Sequence, residues 1–460
     1  MAVRVIKKGL DLPIAGKPQQ VISDAAPVTR VAVLAADFPT MKPRMHVAEG
    51  DAVKRGQALF EDRKGRSIIF TAPGAGTVVA VNRGEKRAVQ SIVIELTASE
   101  ASGQPKDSDF QPFESYTGRP VSELDSDAVR ALLSESGLWT GLRARPFSRV
   151  PSIDEKPAAI FVNAMDTNPL APDMDVVMAG REGDIRAGVE ALTKLTDGPV
   201  YFCMAAGSKL APASAPPRVT VEEFKGKHPA GLSGTHIHTL SPVNRSHVAW
   251  SIGVQATAAI GALLRTGRLD VTRVIALGGP AARSPRLLRT RAGASTDQLA
   301  AGETIDGEVR FVRGSVLCGA EASGDIFGYL GAYDQALACV AEDRERHFLG
   351  WLAPGGNMYS TVRAFLSGFV PKKEYAFTTT TYGSHRAMVP IGMYERVMPL
   401  DIMPTFLLRA LMVDDLERAE ALGCLELDEE DLGLCSFVSP GKEDYGKHLR
   451  RTLTTIWKEG

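Results

Sequence analysis

Cysteine is scarce and unpatterned here: Cys203, Cys318, Cys339, Cys424 and Cys435 are scattered and odd in number, which excludes a disulfide framework and fits a reducing cytosol. Neither G-x-G-x-x-G nor G-x-x-x-x-G-K-S/T occurs, so the usual glycine cradles for dinucleotides and phosphates are missing. No apolar run reads as a membrane span. The least charged stretch, "SHVAWSIGVQATAAIGALL" at 246–264, is interrupted by His, Ser, Gln and Thr and reads as a buried helix. The beginning, "MAVRVIKKGLDLPIAGKP", lacks the apolar core of a secretory signal. Charge of one sign is also missing: 53 Lys and Arg against 54 Asp and Glu leave −1, no global field for nucleic acid.

What is present is an ordinary globular composition, 44% apolar and 23% charged, in a chain too long for one core. Residues 28–97 alternate in short β runs ("VTRVAVL", "SIIFTA", "GTVVAV", "SIVIEL") with glycines between them, a layout resembling the biotinyl/lipoyl-type barrel-sandwich. Lys64 lies near the hairpin tip that such domains modify, but its neighbours do not match the motif, and it reads as a solvated lysine. Residues 98–120 are rich in Ser, Gly and Pro, a linker. From 122 to about 265, helix and strand signals alternate: "DSDAVRALLSESG" helix, "AAIFVNA" strand, "DIRAGVEALTKLT" helix, "GPVYFCMA" strand. This predicts a doubly wound α/β domain. "RVIALGG", "RLLRTRAG" and "EVRFVRGSVLCG" predict a small β domain, and "MPTFLLRALMV", "DDLERAEALG" and "GKHLRRTLTTIWKEG" a helical end.

Three constellations invite chemistry. His228, His236, His238 and His247 cluster in sequence, but a metal needs three or four converging ligands, and distant acids and thiols favour hydrogen-bonded structural histidines. In "GLWTGLRARPFSRVP" (137–151), Trp139, Arg143, Arg145 and Phe147 suit a quinone ring, a partner surface or lipid headgroups; alternatively, Trp139 plugs the core. The third lies at the end. A ferredoxin-type run is C-x2-C-x2-C-x3-C-P. Counting back from Pro440 places its four positions at Glu429, Leu432, Cys435 and Ser439; from Pro399, at Met388, Ile391, Tyr394 and Met398. The unit recurs 41 residues apart with a helix predicted after each proline, and one thiol survives of eight. Leu432, Met388, Ile391 and Met398 are side chains suited to filling a cavity that a cluster would occupy.

These pieces resemble the NqrA family, the A subunits of the Na+-translocating NADH:quinone oxidoreductase. The resemblance runs through "IKKGLDLPIAG" (6–16), "FVNAMDTNPLAPD" (161–173), "HPAGLSGTHIH" (228–238), "RLLRTRAGAS" (286–295), "TTTTYGSHRAMVPIGMYERVMPLDIMPTFLLR" (378–409) and "LELDEEDLGLCSFVSPGK" (425–442). A more distant similarity is to the Rnf complex C subunit and the NADH-binding flavoprotein of respiratory complex I. Where Rnf-type chains have Gly-Gly-Ala-Gly-Phe, this one has Arg143-Ala144-Arg145-Pro146-Phe147, whose bulk would close the FMN and NADH pocket; Asn168 stands in place of an acidic contact.

The resemblance implies an α/β multidomain protein. Its parts would be a barrel-sandwich (biotinyl/lipoyl-like) domain at 1–100, a Rossmann-like α/β domain at 120–265, a β-grasp (SLBB-like) domain at 266–340 and a helical ferredoxin-like remnant at 341–460. It implies a peripheral subunit on the cytoplasmic face of the bacterial inner membrane, docked on the membrane B subunit and contributing to or shielding the ubiquinone site. No metal and no cofactor of its own are implied; ubiquinone is a possible ligand, while FMN, FAD, riboflavin and the Fe–S centre would belong to partner subunits. The alternative is a purely structural assembly subunit with no ligand.

Overall fold

The structure is a computed structural model that describes residues 3–64, 68–212, 215–345, 350–370 and 373–459. Its first layer is a barrel-sandwich. A four-stranded antiparallel sheet (in spatial order Arg30–Leu34, Val89–Leu96, Gly76–Arg83, Ala52–Val53) accompanies a three-stranded one (Pro43–Met45, Ala58–Asp62, Ile69–Thr71). Alternation in these strands turns Phe60 and Phe70 inward, where their rings stack at 4.4 Å and Phe38 meets Phe70 edge-on at 4.6 Å. Lys64 is exposed beyond the strand Ala58–Asp62.

The second unit is a six-stranded sheet in the order Arg4–Ile6, Val219–Gly226, Val200–Ala205, Ala159–Ala164, Ala249–Gly253, Arg143–Arg145. The first five strands run parallel and Arg143–Arg145 runs antiparallel at the edge. Helix Ser126–Glu135 precedes it, started by the Asp125 carboxylate accepting from Ala128 N at 2.8 Å; Gly137 follows at φ +79°, a left-handed conformation that glycine adopts without strain. The run 246–264, expected as one buried helix, is instead the strand Ala249–Gly253 followed by the helix Val254–Thr266. Periodicity cannot separate two adjoining elements that are both buried on nearly every side. Likewise the segment 137–151, to which no strand was assigned from sequence, contains the short edge strand.

The third sheet is mixed: Ala320–Glu321, Val309–Arg313, Ala336–Ala341, Thr272–Gly278, Arg286–Arg291, Gln19–Asp24. Residues 3–24, expected with the barrel, thus supply Arg4–Ile6 to the α/β sheet and Gln19–Asp24 to the third sheet. The C-terminal unit packs the helices Met393–Val397, Pro404–Met412, Leu416–Ala421, Gly433–Val438 and Tyr445–Glu459 around Tyr394, Leu407, Leu411, Leu449 and Leu453. Between 350 and 370 the described backbone holds only single-turn pieces, Gly350–Leu352 and Leu366–Phe369, rather than the helices expected from 341 onward.

Candidate functional site

The winding of the parallel sheet reverses between Ala159–Ala164 and Ala249–Gly253, and the crevice beyond the carboxyl ends of such strands is where open α/β sheets receive ligands. A cleft of about 640 Å³ opens there, walled also by the barrel, the third sheet and the C-terminal unit, within the usual size range of ligand sites. Asn163 and Asp166 line it from the end of the first strand, Gly253 from the neighbouring strand, Arg313 and Tyr333 from the third sheet, and Asp428 from the C-terminal unit. Asp166 accepts from Asn168 N at 2.8 Å and Asn168 Nδ2 at 2.9 Å, yet burial still raises its carboxyl above the ordinary range, with no cationic partner among the described residues. An acid in that position disfavours a diphosphate. The helix that follows, Met174–Val177, is a single turn and offers no N-terminal anion site.

The floor of the cleft is an ionic lock. Arg143 pairs with Asp428 and lies 4.9 Å from the Tyr333 ring centroid. Ser148 Oγ donates to Asp428 at 2.7 Å and Arg450 Nη2 to its other oxygen at 3.0 Å. Arg145 reaches Asp431 at 2.5 Å, Glu430 at 3.1 Å and the Glu426 carbonyl at 2.9 Å. Burial would raise the Asp428 carboxyl, but the Arg143, Arg145 and Arg450 charges overcome it and hold it well below the usual carboxylate range. Its neighbours carry the consequence: burial and the Asp428 charge push Glu429 up to about 7, and Glu430 also rises to about 7 through burial, against the opposing Arg143 charge. Apart from Glu429, counted only as a former cluster position, the acids of "LELDEEDLGL" were absent from the expected site. Five acids in the six residues 426–431, matched to an Arg-x-Arg, were the signal that could have revealed them.

The four residues expected at a quinone surface part company. Trp139 has no exposed surface: its Nε1 donates to the Pro151 carbonyl at 2.8 Å and its ring sits edge-on to Trp250 at 5.5 Å, so it plugs the core. Arg145 is buried in the lock, and Phe147 packs on Trp457 at 5.1 Å. Arg143 alone of the four lines the cleft. Of the segment 143–147, whose bulk was expected to close the pocket, Arg143 lines the cleft while Arg145 turns into the lock and Phe147 packs on Trp457.

The histidines do not converge. His236 and His238 lie on the helix Ser233–Leu240, where two residues apart means different faces. His228 meets Thr167 Oγ1 at 3.3 Å, His236 the Ala230 carbonyl at 3.0 Å, and His247 Ser241 Oγ at 2.7 Å. Burial pushes His228 and His236 down to about 4, so both are neutral at pH 7. His238 Nε2 accepts from Asp401 N at 2.9 Å, which assigns the proton to Nδ1, facing Glu426 at 2.7 Å. Among the described residues no group of three or more His, Cys, Asp or Glu is placed to hold a metal.

The two ferredoxin-like runs meet as crossed ligation requires, the fourth position of one run facing the other run's site. Tyr394 Oη lies 3.4 Å from Ser439 Oγ and 2.8 Å from Tyr445 Oη, all buried. Met398 and Leu432 are buried in the same core, and burial pushes the Cys435 thiol up to about 12, an inert protonated group. These residues do not fit an iron–sulfur cluster. Two of the expected space-fillers behave otherwise: Ile391 is largely exposed and Met388 only half-buried, while Glu429 is bound to Arg450.

Three family models match the chain: NqrA N-terminal barrel-sandwich hybrid domain over 4–97, NqrA second alpha/beta domain over 124–269, and NQRA C-terminal domain over 274–324. Among solved structures, an NAD+-reducing NiFe-hydrogenase in the air-oxidized state aligns over 55% of this chain and 59% of its own, at 14% identity and a TM-score of 0.34, too weak to carry an argument. Relatives named as the A subunit of the Na(+)-translocating NADH-quinone reductase, from Pasteurella multocida (strain Pm70) and Neisseria gonorrhoeae (strain ATCC 700825 / FA 1090), are 51% and 50% identical over 455 residues, 99% of each chain. The chain belongs to the NqrA family, the A subunits of the Na+-translocating NADH-quinone reductase.

Proposed function

We propose that this chain is the peripheral, cytoplasmic-face subunit of a sodium-pumping NADH:ubiquinone oxidoreductase, docked on the membrane B subunit and contributing to or shielding the ubiquinone site, with no redox cofactor of its own. Half-identity over essentially the whole length of relatives so named carries this proposal. No helix among the described residues is long and apolar enough to cross a membrane, which accords with a peripheral place. The filled cluster positions around Tyr394 and Ser439 support an accessory role in electron transfer. Of the four residues expected at a quinone surface, Arg143 is the one that lines the cleft, its guanidinium paired with Asp428 and lying over the Tyr333 ring, and it is the group proposed to reach a quinone oxygen. The purely structural alternative is favoured by one observation, the complete burial of Trp139.

The purified chain is expected to show no flavin absorption and no iron. In the reconstituted complex, Arg143→Ala is expected to raise the KM for ubiquinone while assembly is retained. An unchanged KM would transfer the support to the structural alternative.

A further inference from the structure

Between Glu345 and Glu374 the sequence holds no acidic residue, although acids occupy about one position in nine of the whole chain. Inside this acid-free stretch, residues 350–370 turn Leu352, Leu366, Phe369 and Val370 outward, 62%, 61%, 68% and 55% exposed. The loop is not loosely draped. Leu366 N donates to the Pro354 carbonyl at 3.0 Å, which brings its two limbs together, and Ser367 Oγ donates to the Met358 carbonyl. Lys373 Nζ donates to the Gly356 carbonyl at 2.7 Å, and Tyr375 Oη to the Ser367 carbonyl at 3.3 Å. Tyr359 fixes the base, with ring centroids 5.5 Å from Tyr375, 5.4 Å from Phe377 and 6.1 Å from Phe437.

A hydrogen-bonded loop that spends its polar groups on itself and presents large apolar side chains to water is the arrangement of an unpartnered contact surface. The charge identifies the partner. Arg363 is exposed with no polar partner among the described residues; Lys373, whose Nζ donates to the Gly356 carbonyl and Asn357 Oδ1, keeps its positive charge beside the apolar tip; and no carboxylate of this stretch opposes either charge. Apolar tips with cationic flanks fit an anionic lipid surface, where acyl chains receive the first and phosphates the second. We propose that loop 350–370 rests on an anionic bilayer, with Leu352, Leu366, Phe369 and Val370 at the headgroup–acyl boundary and Arg363 and Lys373 at the phosphate level. This deepens, and rests on, the peripheral placement proposed above by naming the face turned to the membrane.

The test uses the full chain and vesicles of phosphatidylglycerol with phosphatidylethanolamine, compared with phosphatidylcholine alone. Wild type is expected to sediment with the anionic vesicles and weakly with the neutral ones. The L366D/F369D double variant should bind at least about tenfold more weakly, and R363E should lose part of the preference for anionic lipid. V413D, at a position 74% exposed elsewhere on the surface, should bind as wild type. Absence of vesicle binding, or equal binding by L366D/F369D, overturns the lipid contact. If vesicle binding is absent but L366D/F369D no longer co-purifies with the membrane subunits, the loop meets protein and the lipid contact is again overturned. Failure of wild type itself to co-purify with those subunits would remove the peripheral placement instead, a result separable from the vesicle arm.

Discussion

Glu100 lies in a stretch whose composition is that of a linker, yet its carboxylate is completely buried. Arg55 of the barrel donates to it at 2.8 and 2.5 Å, Arg291 of the third sheet at 2.6 Å, and Ala75 N at 3.1 Å. Burial alone would raise this carboxyl, but the two guanidinium groups and the amide outweigh it and leave the folded value below the ordinary one near 4.5. The unfolded chain therefore binds more protons in the acid range. Stability from Glu100 is present above about pH 4.5 and is lost as pH falls through the folded value. Glu100→Ala is expected to cost about 3–5 kcal/mol in urea titrations at neutral pH, because two cations are left without their counter-charge. Glu100→Gln should flatten the acid limb of the stability profile. Sequence could not single out this glutamate: its partners are 45 and 191 residues away.

At the scale of elements, the helices Glu182–Leu192 and Val254–Thr266 pack against each other on the α/β sheet through glycines. A Cβ at Gly188 would strike the Thr257 carbonyl oxygen, and one at Gly261 the Asp184 carbonyl oxygen. Two effects oppose each other in Gly261→Ala. Alanine gains up to about 1 kcal/mol of helix propensity, while overpacking against rigid backbone costs about 1–3 kcal/mol or more. The second dominates, since a carbonyl oxygen within a helix cannot swing aside. Thermal unfolding should show a lower Tm, and an unchanged or higher Tm would mean that the helices can separate. Helix Glu182–Leu192 and strand Val200–Ala205 were legible because their apolar patterns are local, whereas Val219–Gly226 was not read and Ala249–Gly253 was absorbed into the helix expected over 246–264. Strand Arg143–Arg145 was not legible either, since three residues with two arginines carry no periodic signal and become extended only by pairing with Ala249–Gly253.

For the whole molecule, residues 3–24 are a strap. They close one edge of the α/β sheet with Arg4–Ile6 and one edge of the third sheet with Gln19–Asp24, before the chain enters the barrel at Arg30. Removal of residues 1–24 should lower the Tm and unprotect amides of Val219–Gly226 and Arg286–Arg291 in hydrogen exchange, because both strands would become open edges. Protection unchanged at those amides would show that the strap is dispensable.

The sequence by itself determined the succession of barrel, α/β, mixed-sheet and helical parts, and the loss of cluster thiols at Met388, Ile391, Tyr394, Met398, Glu429, Leu432 and Ser439. Such features depend on residue type and spacing along the chain. The tertiary structure alone decided that Trp139 turns inward, that Arg143 and Arg145 meet the acids 428–431, and that Tyr394 faces Ser439. Those outcomes depend on side chains tens to hundreds of residues apart competing for the same buried space and charge, and only the assembled packing resolves that competition.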